Sequence, residues 1–465
     1  MTNYQTDVAI IGFGKAGKTL AGALAKKGKT AIVIEKSPKM YGGTCINVGC
    51  LPTKSLTNSA KTISQLTEFG IERTPELNNQ YYQKALHYKD DMVSKLNQKN
   101  YHKIADLDNV TVLDGFATFE DEHTLSVDTG VETVQVIAEK IIINTGSVAN
   151  IPNIEGISEN SRVYTSESIL DLEQLPQRLA IIGSGYIGLE YASYFNGFSS
   201  AVTIFEANDT FLGREDDDVA RSVLERMKET GIQFEFEAAT SQIKETISGV
   251  TVAYSQNEEA NEAEFDAVLL ATGRKPNTEH LGAEKAGVTL GEKDEIKVNA
   301  NLQTNVEHIW AVGDVKGGPQ FTYISLDDYR IVLPQLLGEA SGYSLDSRPA
   351  FPNATFIDPP LASIGMNEKA AKKAGIAYEV AKMPTANVPK AQVLRETAGF
   401  MKVLVDPETK FILGATLFSA ESHEMINLLA LAINEKIPYT ILRDTIYTHP
   451  IMTEALNDLL GMIEE

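Results

Sequence analysis

Apolar residues in this chain gather into short continuous runs, separated by glycine turns and by stretches of helical spacing. The run Thr6–Ile11 is followed by Gly12-Phe13-Gly14-Lys15-Ala16-Gly17, a helical stretch to about Lys27, and a second run, Thr30–Ile34, that ends in Glu35. The same order returns at Leu179–Ile182, then Gly183-Ser184-Gly185-Tyr186-Ile187-Gly188, then Ala201–Phe205, which leads to Glu206. Continuous apolar strands alternating with helices predict parallel sheets covered on both faces. Two more apolar strands close on Thr-Gly turns: Ile141–Asn144 before Thr145-Gly146-Ser147, and Val268–Ala271 before Thr272-Gly273-Arg274. Another strand-to-turn signal runs from Ile309 to Gly313-Asp314. From about Ser347 the pattern changes: Pro352, Pro359 and Pro360 punctuate it, strands such as Phe400–Val405 and Phe411–Leu417 follow, and then come two helical stretches. That suits an α+β module rather than a third copy of the repeated unit.

The glycines give the repeat its chemistry. In a G-x-G-x-x-G turn the first glycine (Gly12, Gly183) permits the tight bend, and the second (Gly14, Gly185) lets backbone approach a pyrophosphate. The third (Gly17, Gly188) lets the helix pack on the strand, and the helix N-terminus attracts the anion. An acid about twenty residues on can accept hydrogen bonds from a ribose. Glu35 follows Gly12 by 35 − 12 = 23 residues, and Glu206 follows Gly183 by 206 − 183 = 23. One such turn is weak evidence; two with matching acids predict two bound dinucleotides. The Thr-Gly turns and Asp314 are either ordinary α/β turns or cofactor contacts, Asp314 to a polyol chain, and spacing alone leaves both open. The predicted fold is α/β: two Rossmann-like dinucleotide-binding domains plus a C-terminal α+β domain. Expected limits are 1–150 with 276–345 for the first, 151–275 for the second and 346–465 for the last. Ile151–Gly156, with Pro152, reads as the linker into the second unit.

Length and composition agree: 465 residues allow two to four domains, and a hydrophobic fraction of 43% supports real cores. Lys plus Arg is 41 and Asp plus Glu is 63, so the net charge is 41 − 63 = −22. That excludes nucleic acid and anionic lipid as expected partners. No apolar run approaches the length of a membrane span. The N-terminus reads as a strand rather than a signal peptide, and the expected location is cytoplasmic. Only two cysteines occur, Cys45 and Cys50. They exclude a disulfide scaffold and a four-cysteine zinc site, and no metal site is expected.

Those cysteines lie in Gly42-Gly43-Thr44-Cys45-Ile46-Asn47-Val48-Gly49-Cys50-Leu51-Pro52-Thr53-Lys54. Pro52 suits the first turn of a helix running through Leu66, so both sulfurs are expected at a helix N-terminus, where the dipole lowers thiol pKa. Two unrelated, partly buried cysteines are the plain alternative; their isolation between glycine turns favours a redox pair. A disulfide accepts hydride poorly from a nicotinamide without an intermediate two-electron carrier, and a flavin is that carrier. The first unit, which holds the cysteines, is therefore assigned FAD, and the second NADH or NADPH.

With its GGTCxNxGCxPxK signature the chain resembles, over essentially its full length, the class I pyridine nucleotide–disulfide oxidoreductases, which include glutathione reductase, dihydrolipoyl dehydrogenase and mercuric reductase. The resemblance implies that Cys50 is the thiol next to the flavin and Cys45 the interchange thiol that meets substrate. It implies that Lys54 pairs with Glu190 beside the flavin, that Tyr186 covers the nicotinamide pocket, and that Asp314 binds the ribityl chain. Gly43, Thr44, Thr145 and Gly146 join the FAD site, and Gly273 the nicotinamide side. His449-Pro450-Ile451-Met452-Thr453-Glu454 resembles the family's His-Pro-x-x-x-Glu motif. A histidine oriented by a carboxylate is the expected acid–base partner of a thiol. In the family this motif comes from the neighbouring subunit, which implies a homodimer.

Within the family, Glu206 followed by Ala207-Asn208-Asp209, with no arginine before Arg214, argues for NADH over NADPH. Mercuric reductase and large thioredoxin reductases carry a further C-terminal thiol or selenol pair, absent here. Four segments resemble the reactive-chlorine-resistance flavoreductases and streptococcal hypothiocyanous acid reductases: Cys45–Lys54, Gln320–Val332, Ser422–Asn427 and Ile441–Leu459. The expected substrate is thus a small oxidant, hypothiocyanous acid first, with dihydrolipoyl dehydrogenase as runner-up. Related flavoreductases have been linked to Cu(II) reduction, but the helical setting of Met425 and Met452 favours core packing over a copper site. A non-catalytic NADH sensor would keep the fold; the intact Cys45, Cys50, His449 and Glu454 weigh against it.

Overall fold

The structure, a computed structural model, describes residues 2–158 and 160–463. The chain opens with β1 (Asn3–Ile11), α1 (Lys15–Lys26), β2 (Ala31–Glu35), α2 (Thr44–Asn47), α3 (Cys50–Ser64) and α4 (Pro75–Ala105). Four strands follow: β3 (Val110–Asp114), β4 (Phe116–Phe119), β5 (Thr124–Asp128) and β6 (Thr133–Ile143). β1 runs parallel to β2 and β6, and β2 to β3. All five residues of β2 and the last four of β1 are buried, as strands with both faces covered must be. β6 serves two settings. Its first half pairs antiparallel with β5 and alternates between core and surface, whereas Ile141–Ile143 are all buried. The change in burial marks the switch from a one-faced to a two-faced sheet.

The chain then crosses on β7 (Ser147–Ala149) to β8 (Val163–Thr165), β9 (Arg178–Ile182), α5 (Tyr186–Gly197), β10 (Ala201–Phe205), α6 (Asp217–Glu229) and β11 (Gln233–Glu235). An antiparallel sheet, β12 (Ala239–Glu245), β13 (Val250–Gln256) and β14 (Glu259–Phe265), precedes β15 (Ala267–Leu270). The second parallel sheet has the order β11-β10-β9-β15-β8. The chain returns on β16 (Arg274–Pro276), antiparallel to β7, so exit and re-entry lie side by side. β17 (Ile309–Ala311) then joins the first sheet beside β6, and α7 (Thr322–Leu336) follows.

The last part comprises β18 (Asn353–Thr355), β19 (Leu361–Gly365), α8 (Glu368–Ala374), β20 (Glu379–Pro384), α9 (Pro389–Leu394), β21 (Phe400–Val405) and β22 (Ile412–Phe418), then α10 (Ser422–Asn434), α11 (Tyr439–Arg443) and α12 (Ala455–Gly461). Its five-stranded sheet is antiparallel, in the order β18-β19-β22-β21-β20. Met425 and Met452, 2% and 0% exposed, sit in its hydrophobic core.

Two expectations are corrected. Three helices follow β22, not two, because Pro438 cannot extend a helix and disfavours helical geometry at Ile437. The cysteines do not share one helix start either: Cys50 is the first residue of α3, but Cys45 stands on the separate single turn α2. There the Asn47 side chain folds back to donate to the carbonyls of Tyr41 and Gly43 at 3.1 and 2.9 Å, closing the turn locally before Gly49. Among the described residues, no helix is long and apolar enough to cross a membrane.

Candidate active site

The three parts meet around one cleft of about 2460 Å³, lined by Gly12, Glu35, Cys45, Cys50, Lys54 and Asp314 among others. A pocket for one small molecule is typically about 300–1,000 Å³, so this cleft has room for extended ligands.

The thiols sit on α2 and at the start of α3. One thiol donates to the other, and this hydrogen bond is the largest influence on both: it lowers Cys45 below the ordinary cysteine range and raises Cys50 above it. Burial opposes the shift of Cys45, while the hydroxyl of Thr322, at the start of α7, and the ammonium groups of Lys18 and Lys54 reinforce it. The arrangement supports one thiolate, centred on Cys45, with its proton donor five residues away. Lys18 is buried and donates to the carbonyl of Gly42 at 3.3 Å and to Asn100 Oδ1. Burial is the main cause lowering its own pKa to about 8. Since a lowered pKa keeps the thiolate until pH falls through it, alkylation of Cys45 by iodoacetamide in the dithionite-reduced protein should titrate clearly below the value of about 8.5 of a free cysteine. Peptide mapping across pH 5–9 measures this; a midpoint at or above the free value contradicts it.

The glycine turn of the first unit fits a dinucleotide. Gly12 has φ +104°, and a Cβ there would lie 2.4 Å from the carbonyl oxygen of Asn144, so only glycine closes this bend. Asn144 in turn donates from Nδ2 to the Gly12 carbonyl at 3.0 Å. A Cβ on Gly43 would come 2.8 Å from Cα of Gly14, so the loop before the cysteines presses against the glycine turn. Both turns therefore present backbone, not side chains, to the N-terminus of α1, as a pyrophosphate site requires. Thr44 opens α2 in the same wall, and the buried hydroxyl of Thr145 has no hydrogen-bond partner among the described residues and stands beside Gly146 in the cleft. Glu35, 8% exposed, accepts from the backbone N–H of Phe13 at 2.9 Å, and burial raises its pKa more than these contacts lower it. Asp314 accepts from the Ser147 hydroxyl at 2.8 Å, and Arg274 Nε donates to the same Ser147 oxygen at 2.9 Å. Gly313 N–H is held by Asp328 at 2.7 Å, and Arg348 binds both Asp327 and Asp328.

Lys54 on α3 and Glu190 on α5 form an ion pair at 2.6 Å. The other oxygen of Glu190 accepts from the Phe356 backbone N–H at 2.9 Å, and Lys54 Nζ lies 4.6 Å from the Phe356 ring centroid. This cluster ties all three parts together beside Cys50. In the second unit, Gly183 (φ +106°) repeats the bend of Gly12 against the carbonyl of Ala271, and Gly188 lies close under Gly183, while the space beyond Gly185 is open. Gly183, Gly185, Gly188, Glu206 and Gly273 lie outside the lining of the large cleft, whereas Tyr186, Glu190 and Arg274 are part of it. Glu206 accepts from Ser184 Oγ at 2.6 Å and from Asn208 Nδ2 at 2.9 Å. Burial raises its pKa, but those hydrogen bonds together outweigh it and hold the carboxyl below the ordinary range. Gly273 sits in the second Thr-Gly turn, where its carbonyl accepts from Asn150 N–H at 2.9 Å.

His449 Nδ1 and Glu454 Oε2 are 2.9 Å apart, with the histidine side chain 69% exposed. Neither lines the cleft that holds the thiols. Thr322, Asn144, Ser147, Phe356 and Glu215 were not anticipated as site residues. Thr322 lies inside a segment singled out by resemblance, and Asn144 and Ser147 flank the first Thr-Gly turn; Phe356 and Glu215 carry no sequence signal.

Residues 6–328 match a family model described as pyridine nucleotide-disulphide oxidoreductase, and residues 351–460 match the dimerisation domain of the same family. The chain is 43% identical over 464 residues to the probable pyridine nucleotide-disulfide oxidoreductase RclA of Escherichia coli (strain K12), with 100% of both chains covered. It is 32% identical over 462 residues to a dihydrolipoyl dehydrogenase of Haloferax volcanii, covering 97% of this chain and 94% of the other. The solved Cu(II) complex of the HOCl-induced flavoprotein disulfide reductase RclA from Escherichia coli matches with a TM-score of 0.92 and 42% identity over 100% of both chains.

Proposed function

The chain belongs to the pyridine nucleotide–disulphide oxidoreductases and is a flavoprotein disulfide reductase; from that premise we propose that it uses NADH to reduce a small oxidant, hypothiocyanous acid first, in defence against reactive chlorine species. The observation that carries the reading is the Cys45–Cys50 pair, with its stabilised Cys45 thiolate, open to the cleft and without a third thiol to relay electrons to a larger substrate. The Escherichia coli relative is an HOCl-induced flavoprotein disulfide reductase, which supports the setting.

FAD, when bound, supplies the two electrons that open the Cys45–Cys50 disulfide. Gly12, Gly14, Gly17 and Gly43 would hold its pyrophosphate, Glu35 its ribose, and Thr44, Thr145, Gly146 and Asp314 the chain toward the ring. The rest is thiol chemistry. The Cys45 thiolate attacks the sulfur of hypothiocyanous acid; a sulfur–sulfur bond forms, the sulfur–oxygen bond breaks, and hydroxide leaves as water with a proton from His449 of the partner subunit, oriented by Glu454 of the partner subunit. Cys50 gives its proton to the now neutral His449 of the partner subunit and, as thiolate, attacks the Cys45 sulfur and releases thiocyanate, restoring the disulfide. One thiolate, one thiol and one hypothiocyanous acid give one disulfide, one thiocyanate ion and water. The homodimer this requires is supported by the dimerisation-domain match.

The test is steady-state NADH oxidation by the FAD-loaded protein with hypothiocyanous acid, lipoamide, glutathione disulfide and Cu(II) as alternative acceptors. Turnover with hypothiocyanous acid at least tenfold above the others is expected. Rapid lipoamide turnover without hypothiocyanous acid reduction would transfer the assignment to the dihydrolipoyl dehydrogenase reading, which the relative at 32% identity favours.

NADH is proposed over NADPH because the Glu206 carboxylate, held ionised by Ser184 and Asn208, stands where a 2′-phosphate would approach. Glu206→Ala should raise the NADPH/NADH ratio of kcat/KM by about tenfold, the effect of roughly 1.4 kcal/mol of relieved repulsion. A wild type that already favours NADPH contradicts the assignment.

A further inference from the structure

Tyr186 opens α5 and Glu190 lies one turn later, a spacing that sets both on one helix face. Glu190 carries Lys54, so the ring of Tyr186, 38% exposed and lining the cleft, stands over the approach to the Lys54–Glu190 pair. The Tyr186 hydroxyl donates to Glu215 Oε1 at 3.0 Å. Glu215 is 7% exposed, and among the described residues its carboxylate has no other hydrogen-bond partner. Burial raises its pKa; the Tyr186 hydroxyl and the ammonium groups of Lys369 and Lys402 oppose this, and Asp216 adds to it. A buried carboxylate held by one neutral donor is costly to keep.

The residues flanking Glu215 are fastened to the C-terminal part. Asp216 accepts from the backbone N–H groups of Glu368 and Lys369 at 3.1 and 3.0 Å, and Asn367 Nδ2 donates to the Arg214 carbonyl at 2.8 Å. Lys402 on β21, its side chain 1% exposed, reaches Asp216 at 2.7 Å, Asp218 at 2.8 Å and Glu368 at 3.0 Å. Those three carboxylates lie close enough together to hold a cation, and the Lys402 ammonium is that cation.

We propose that Glu215 is a positioning residue that holds Tyr186 across the nicotinamide entrance, and that the C-terminal part, through Asp216 and Lys402, holds Glu215. This rests on the reading above that NADH reduces the flavin from the second unit. Entry of the nicotinamide then requires the Tyr186–Glu215 bond to break, and the apparent affinity for NADH is reduced by the fraction of molecules in which it is closed.

Anaerobic stopped-flow reduction of the FAD-loaded, full-length protein by NADH gives a Kd and a limiting rate. Tyr186→Phe and Glu215→Ala should each lower Kd by about threefold to tenfold with the limiting rate changed less than about twofold, the scale of one hydrogen bond. Glu215→Gln, which keeps an acceptor oxygen, should stay near wild type, and the double variant Tyr186→Phe/Glu215→Ala should bind no tighter than either single one. Lys402→Met, or Glu368→Gln if that variant does not fold, should lower Kd in the wild type and have no further effect in Tyr186→Phe. Unchanged Kd in both single variants, or additive gains in the double, overturns the role of Glu215. A Lys402→Met or Glu368→Gln effect that persists in the Tyr186→Phe background overturns the part assigned to the C-terminal contacts. A wild-type flavin that NADH does not reduce overturns the functional reading itself, and is seen before any variant is compared.

Discussion

Cys45→Ser should lower kcat/KM for oxidant reduction by about 10³- to 10⁴-fold while NADH still bleaches the flavin at a rate close to wild type. The hydroxyl of serine does not ionise near neutral pH, so the hydrogen bond from Cys50 and the nearby Lys18 and Lys54 have no thiolate to stabilise. Cys50→Ser should fail differently. Cys45 keeps its cationic neighbours and can still attack, but nothing displaces thiocyanate from it, so one equivalent of hypothiocyanous acid is consumed and the mass of one SCN group stays on the Cys45 peptide. Stopped-flow absorbance and intact-mass measurement separate the two outcomes. Wild-type oxidant reduction by Cys45→Ser contradicts the proposed mechanism, and release of free thiocyanate by Cys50→Ser contradicts the order of the thiols.

The second large effect concerns His449. His449→Ala should lower kcat with hypothiocyanous acid by about 10²- to 10³-fold, the contribution of a positioned general acid. Glu454→Gln, which keeps a partner near Nδ1 but not its charge, should cost less. The location of the histidine can be tested without a structure of the dimer. If each site takes Cys45 from one chain and His449 from the other, a mixed dimer of a Cys45→Ser chain and a His449→Ala chain contains one doubly defective site and one intact site. Random exchange of equal amounts should then restore about a quarter of wild-type activity. Mixing that restores nothing would mean that both residues act within one chain.

The glycine turns were legible because backbone geometry leaves no alternative: no side chain fits at Gly12 against Asn144, or at Gly183 against Ala271. The cysteine loop was legible for its isolation and its glycines. Pairs between distant segments were visible only through resemblance, as with Lys54 and Glu190, or not at all. Tyr186 and Glu215 lie 29 positions apart, and Lys402 meets Asp218 from 184 positions away. Neither distance leaves a periodic trace, because ordinary polar and charged residues make these contacts. The helix boundaries around Cys45 and Pro438 were misjudged for a local reason: side-chain capping by Asn47 and a single proline decided them, not apolar periodicity. His449 is exposed and held by Glu454, a pairing that only the resemblance made visible.

The side-by-side strands β7 and β16 bear on how the chain is made. The second unit is continuous in sequence, whereas the first sheet lacks β17 until residue 309 is available. During vectorial synthesis the later-starting unit can therefore finish first, since its own ends are already held together by a two-stranded clasp and closing it costs little chain entropy. The earlier unit must wait with one side of β6 unpaired at Ile141–Ile143 until β17 arrives, and an unpaired strand edge is a template for pairing with another chain.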